Sequence, residues 1–126
     1  MKRIIIAILI IALCGSGAAA ELSYVSENVD RFTQDVQNID ALLSRGKNRQ
    51  ALALCISTNK RWDETAPSID ALLIHDYVDN IGIHLRQMQS YLENGTWDMY
   101  HASNVAVKKG LASIKGSEYP LLENIL

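Results

Sequence analysis

The sequence predicts an all-α chain, and three observations predict it. From Leu22 to Ile114 the apolar residues recur at spacings of three and four, and no segment alternates with the period of two that would mark a strand. Glycine and proline are scarce, seven and two in 126 residues, and Gly46, Gly95 and Gly116 stand where apolar stripes end. The stripes also change phase abruptly near 75–77, which divides the chain after residue 20 into four helical segments. These segments form two helical hairpins. A four-helix bundle and a tetratricopeptide-like array both fit that pattern, placed after an N-terminal signal or anchor segment.

The N-terminal segment comes first. Met1-Lys2-Arg3 is a short positive stretch, Ile4 to Leu13 is an unbroken apolar run, Gly15-Ser16-Gly17 interrupts it, and Ala18-Ala19-Ala20 follows. That order is a secretory signal with a cleavage site after Ala20. Retention is the competing reading: the 17 residues from Ile4 to Ala20 are at the short edge of a membrane span, with Lys2 and Arg3 on the inner side. A third reading makes Cys14 a lipidation site, against which stands the bulky Leu13 before it. Domain organisation is therefore 1–20 as signal peptide or membrane anchor and 21–126 as one helical domain. All three readings put that domain outside the cytoplasmic membrane, secreted or anchored.

The first helix of the domain carries a heptad seam, Leu22, Val25, Val29, Phe32, Val36, Ile39 and Leu43. Such a seam packs nearly parallel to a partner helix, in the same chain or in another. Glu27, Asp30, Arg31, Asp35 and Asp40 fall on the solvent side, and Gly46 closes the helix with a left-handed residue. In the second helix Asn48 is the expected cap and the seam is Leu52, Cys55, Asn59, Trp62, Ala66, Ile69 and Leu73. Pro67 predicts a kink in it, or a break with Thr65 as a new cap. The third seam is Val78, Ile81, Leu85, Met88 and Leu92. Its phase requires a break at His75–Tyr77, with Asp76 as N-cap and Asp79 in the first turn. Asn94-Gly95 ends it. Thr96 caps the fourth helix, whose stripe of Trp97, Tyr100, Val107, Leu111 and Ile114 is interrupted by Asn104. Gly116 is expected to end that helix, and the apolar tail from Tyr119 to Leu126 to dock on the bundle.

Composition narrows function by exclusion. The net charge is −2, and without residues 1–20 there remain 10 basic against 14 acidic residues, so nothing here is a footprint for nucleic acid. With Cys14 in the leader, Cys55 would be the single cysteine of a cleaved chain and a small buried apolar residue among Leu52, Leu54 and Ile56. No phosphate-binding glycine loop, nucleophile elbow, paired-cysteine motif or zinc-protease helix occurs, so the expectation is no enzyme and no cofactor. The best chemical candidate is His75-Asp76-x-x-Asp79, where a histidine and carboxylates four residues apart on one helix could share a metal. Capping explains both aspartates without any metal and is the preferred reading, since the sequence guarantees no further ligands. His84 and His101 are isolated, Trp62 and Trp97 fall on seams as core anchors, and Asp63 with Glu64, or Glu93, would make an acid pair only if the fold joined them.

Several stretches carry a family resemblance: the opening Met-Lys-Arg-Ile-Ile-Ile, Trp62, the run Leu73-Ile74-His75-Asp76-x-Val78-Asp79-x-Ile81, then Leu85, Tyr91 and Leu92, and the ending Leu122-Glu123-Asn124-Ile125-Leu126. Together they resemble the bacterial family catalogued as domain of unknown function 4363, over nearly the whole chain. The resemblance implies a short, helical, N-terminally targeted protein and carries no activity or cofactor. The resulting expectation is a structural or protein-interaction module at the outer face of the cytoplasmic membrane, partnered or self-associating through its first helix. A metal- or small-ligand-binding protein using His75, Asp76 and Asp79 is the alternative.

Overall fold

The computed structural model describes the backbone of residues 1–71 and 75–125 and the side chains of residues 1–71 and 76–116. Four helices follow in order, α1 (Lys2–Ser44), α2 (Asn48–Asp70), α3 (His75–Asn94) and α4 (Trp97–Ile125), and there is no strand among the described residues. Contacts run between α1 and α2, α2 and α3, α3 and α4, and α4 and α1. The ring therefore closes, which makes this a four-helix bundle and not an open array of hairpins. Each neighbouring pair is antiparallel: Asp30 meets Lys115 while Asp40 meets Lys108, and Asn59 meets Gln89 while Asp63 meets Arg86.

The turns form for the reasons the sequence supplies. Gly46, at φ 73°, lets its N–H reach the Leu43 carbonyl and the Lys47 N–H reach that of Leu42, which satisfies the carbonyls orphaned at the end of α1. Gly95, at φ 68°, does the same for α3, with the Thr96 N–H bonded to the Tyr91 carbonyl. Thr96 stands at the N-cap position, its carbonyl accepting from the Tyr100 N–H.

The core is the set of seams facing inward. Val25, Val29, Phe32, Val36 and Ile39 of α1 are buried, as are Val78, Ile81, Leu85 and Met88 of α3 and Tyr100, Val107, Leu111 and Ile114 of α4. Trp62 packs edge-on to Phe32, ring centroids 4.9 Å apart. The α1 seam is thus covered by its own bundle. The helices α3 and α4 approach closely at Gly110, where a Cβ would stand 2.6 Å from Ile81 Cγ1.

Six expectations need correction. Asn48 is the first residue of α2 and Lys47 its cap, with no side-chain bond. The register of α2 buries Ala51 and Thr58, while Leu52 is partly exposed. The helix is continuous through Pro67 to Asp70, so of the two readings at Pro67 the break with Thr65 as a new cap falls. Because α3 begins at His75, Asp76 sits inside its first turn, where its charge still faces the positive helix end. Gly116 does not stop α4, which continues to Ile125; the docking of the tail side chains lies outside the described residues. Trp97 is 42% exposed and no core anchor.

Residues 1–21 are exposed throughout, yet α1 is one uninterrupted helix across Gly15-Ser16-Gly17 and Ala20-Glu21. Near its start it is long and apolar enough to cross a membrane. At 43 residues it measures about 65 Å.

Candidate functional site

Polar residues on apolar seams must find partners, because an unpaired buried amide costs free energy. Asn104, 4% exposed on the stripe of α4, donates through Nδ2 to Asp40 Oδ1 at 2.9 Å across the α1–α4 seam. One turn earlier Tyr100 donates its hydroxyl to the same oxygen at 2.7 Å, and one turn later Lys108 Nζ meets Asp40 Oδ2 at 2.6 Å. The spacing 100, 104, 108 puts three donors on one face of α4, and together they clamp a carboxylate of α1. Asp40 was expected on the solvent side; it is half-buried and faces α4. Asp35 is likewise drawn inward, to Arg61 of α2. Asn104 on an otherwise apolar stripe was the signal that a partner was needed.

Asp40, Tyr100, Asn104 and Lys108 floor a groove of about 690 Å³, with Trp97 and His101 exposed at its rim. The His101 ring lies edge-on to that of Tyr100, centroids 5.6 Å apart. Burial, and then the Asp40 carboxylate that takes its proton in a hydrogen bond, push the Tyr100 phenol far above its ordinary value. Tyr100 therefore remains a donor, and with Lys108 balancing its charge the Asp40 carboxylate has no free reactive role in this arrangement. The cluster is a latch that sets the register of α1 against α4.

A second polar cluster joins α2 to α3. Asn59 Nδ2 donates to the Leu85 carbonyl at 3.1 Å and to Gln89 Oε1 at 3.0 Å, and Gln89 in turn donates to Glu93. Cys55 is fully buried beside it, and burial, then the Glu93 charge, push its thiol up to about 12. It is an inert apolar residue, as its neighbours implied. Next to this cluster a groove of about 480 Å³ separates α2 from α3, bordered by Trp62, Pro67, Asp79, Gly82 and Arg86.

Of the residues singled out from the sequence, those with described side chains do not gather into one cluster. His75 opens α3, but its side chain lies outside the described residues; Asp76 and Asp79 are exposed on α3. Among the described residues no group of three or more His, Cys, Asp or Glu converges for a metal. Asp63 pairs with Arg86 at 3.0 Å, Glu93 accepts from Gln89, and Glu64 is exposed, so they form no acid pair. His84 Nδ1 is 2.9 Å from Gln87 Oε1 on its own helix.

Fold and site together define a class: an antiparallel four-helix bundle with polar latches across two seams, extended at its start by an exposed apolar helical arm. The chain belongs to the family described as Domain of unknown function (DUF4363), whose family model matches residues 19–125. No curated protein and no solved structure matches it.

Proposed function

We propose that the protein is a membrane-anchored interaction module: residues 4–20 lie in the cytoplasmic membrane and the bundle stands on its outer face. One observation carries the anchor. The helix α1 leaves the bundle without a break and is apolar on nearly all sides over the exposed stretch 4–20. A helix that is hydrophobic all round is built for lipid, while one with a single stripe is built for partner helices. Lys2 and Arg3 at the far end favour the orientation with the N-terminus inside. A rigid continuous helix then carries the bundle as a stalk carries a head. The module part of the reading is supported by a site whose polar groups latch helices together, and by grooves on two seams that remain open to a partner.

Intact mass from separated membrane and medium fractions tests the anchor. A chain retaining Met1 in the membrane is the expected result. A chain starting at Glu21 in the medium would overturn anchoring. Crosslinking from the bundle surface in intact cells tests the module, and a bundle that captures no partner would remove that part.

A further inference from the structure

The groove between α2 and α3 contains a polar group the bundle leaves unused. Trp62 is 2% exposed, and its indole N–H has no hydrogen-bond partner among the described residues. That N–H lies over Gly82, where a Cβ would stand 3.1 Å from Nε1, so the absence of a side chain at 82 keeps the donor open to the groove. Pro67, on the same wall, has no N–H to give the Asp63 carbonyl one turn back, which frees an acceptor as well. Charge is arranged asymmetrically. At one end Arg86 is held by Asp63 at 3.0 Å; toward the other Asp79 is exposed and makes no ion pair among the described residues. Val78 and Ile83 supply an apolar wall between them.

We infer that this groove binds a lysine-bearing peptide segment. A backbone carbonyl of the segment takes the Trp62 N–H, and the lysine ammonium goes to Asp79. The aliphatic stem lies along the apolar wall, as lysine stems do when the head stays in water. Gly82 and Asp79 are one turn apart on α3, about 4.5 Å of rise, which a lysine side chain spans from its own carbonyl. An acidic segment meets the wrong charge at Asp79, and Arg86 is already engaged. The inference rests on the interaction reading above but not on the anchor.

The test follows the two indole N–H resonances of the ¹⁵N-labelled full chain in nonionic detergent, assigned with Trp97→Phe. Acetyl-Ala-Lys-Ala-amide is titrated against its glutamate counterpart. The expected result is a saturable downfield shift of the Trp62 signal alone, with the lysine peptide alone. Asp79→Asn, at an exposed position, weakens binding about fivefold, the scale of one partly exposed ion pair. Gly82→Ala, which covers the indole, abolishes the shift. A Trp62 signal that stays still, answers both peptides equally, or is indifferent to Asp79→Asn overturns the proposal. If crosslinks map to other faces while the Trp62 signal is silent, the groove reading falls and the module reading stands.

Discussion

The two halves of α1 share one backbone and obey opposite rules. Residues 2–21 are apolar on nearly every side and exposed; residues 22–44 are polar except for one seam, and that seam is buried. Aliphatic residues do different work in each, isoleucine and leucine in the first half and mainly valine in the second. In the second half a single valine or isoleucine every turn suffices, because α2 and α4 supply the rest of the apolar surroundings. In the first half no other helix of the chain covers the surface, and the apolar residues run round nearly the whole circumference, the pattern of a helix suited to lipid. Hydrophobicity alone therefore does not locate the core; the width of the apolar face does.

The sharpest way to break that comparison is to damage each half separately. Trp62→Ala removes the aromatic that packs on Phe32 and is expected to cost the bundle about 3–5 kcal/mol in thermal unfolding of the full chain in detergent. Ile8→Asp is expected to leave that melting temperature unchanged while releasing the protein from membrane fractions. A melting temperature lowered equally by both would mean the arm is part of the bundle.

Loss of the latch comes next. Asp40→Ala takes the acceptor from the Tyr100 hydroxyl and leaves Asn104 Nδ2 only its longer bond to that hydroxyl, and is expected to cost about 1–3 kcal/mol by denaturant unfolding. Combined with Tyr100→Phe it should cost less than the two alone added together, since both act on one network. Full additivity would reduce the cluster to unrelated contacts.

Alkaline pH probes the same half. Cys55 moves from an ordinary 9.0 to about 12, and Tyr100 is raised too, so the folded state holds protons that the unfolded chain releases. The Cys55 contribution is complete below about 9 and is lost as pH climbs toward about 12; that of Tyr100 begins to fall only above about 10. The slope is roughly 1.4 kcal/mol per pH unit for each group while it titrates. Cys55→Ala is expected to flatten this decline in unfolding measured at successive pH values; an unchanged slope would remove Cys55 as its source.

The smallest effects compare two glycines of α4. Gly110→Ala drives a methyl into Ile81, and after the gain in helix propensity is set against this, a net loss of about 1 kcal/mol is expected. Gly116→Ala meets nothing within 4 Å and is expected to gain about 0.5–1 kcal/mol. Melting curves of the two variants should move in opposite directions.

Helical seams are legible without a structure because burial on one face imposes spacings of three and four, and in α1 and α3 every expected seam residue from Val25 to Ile39 and from Val78 to Met88 is buried. Glycine turns are legible for a related reason: Gly46 and Gly95 adopt a left-handed backbone that other residues resist. Helix ends without such residues were less so. Asp76 and Gly116 lie inside helices: a capping preference is worth only about 1 kcal/mol and does not by itself fix a helix end.

The sequence by itself determined the helices, most of the inward faces and the apolar arm, since each follows from local periodicity. Only the tertiary structure decided that the ring closes through α1 and α4, that Asp40 turns inward to three donors of α4, and that Gly82 leaves the Trp62 indole uncovered. Those facts depend on which residues from distant helices share a level along the bundle, and that register arises from packing all four helices at once.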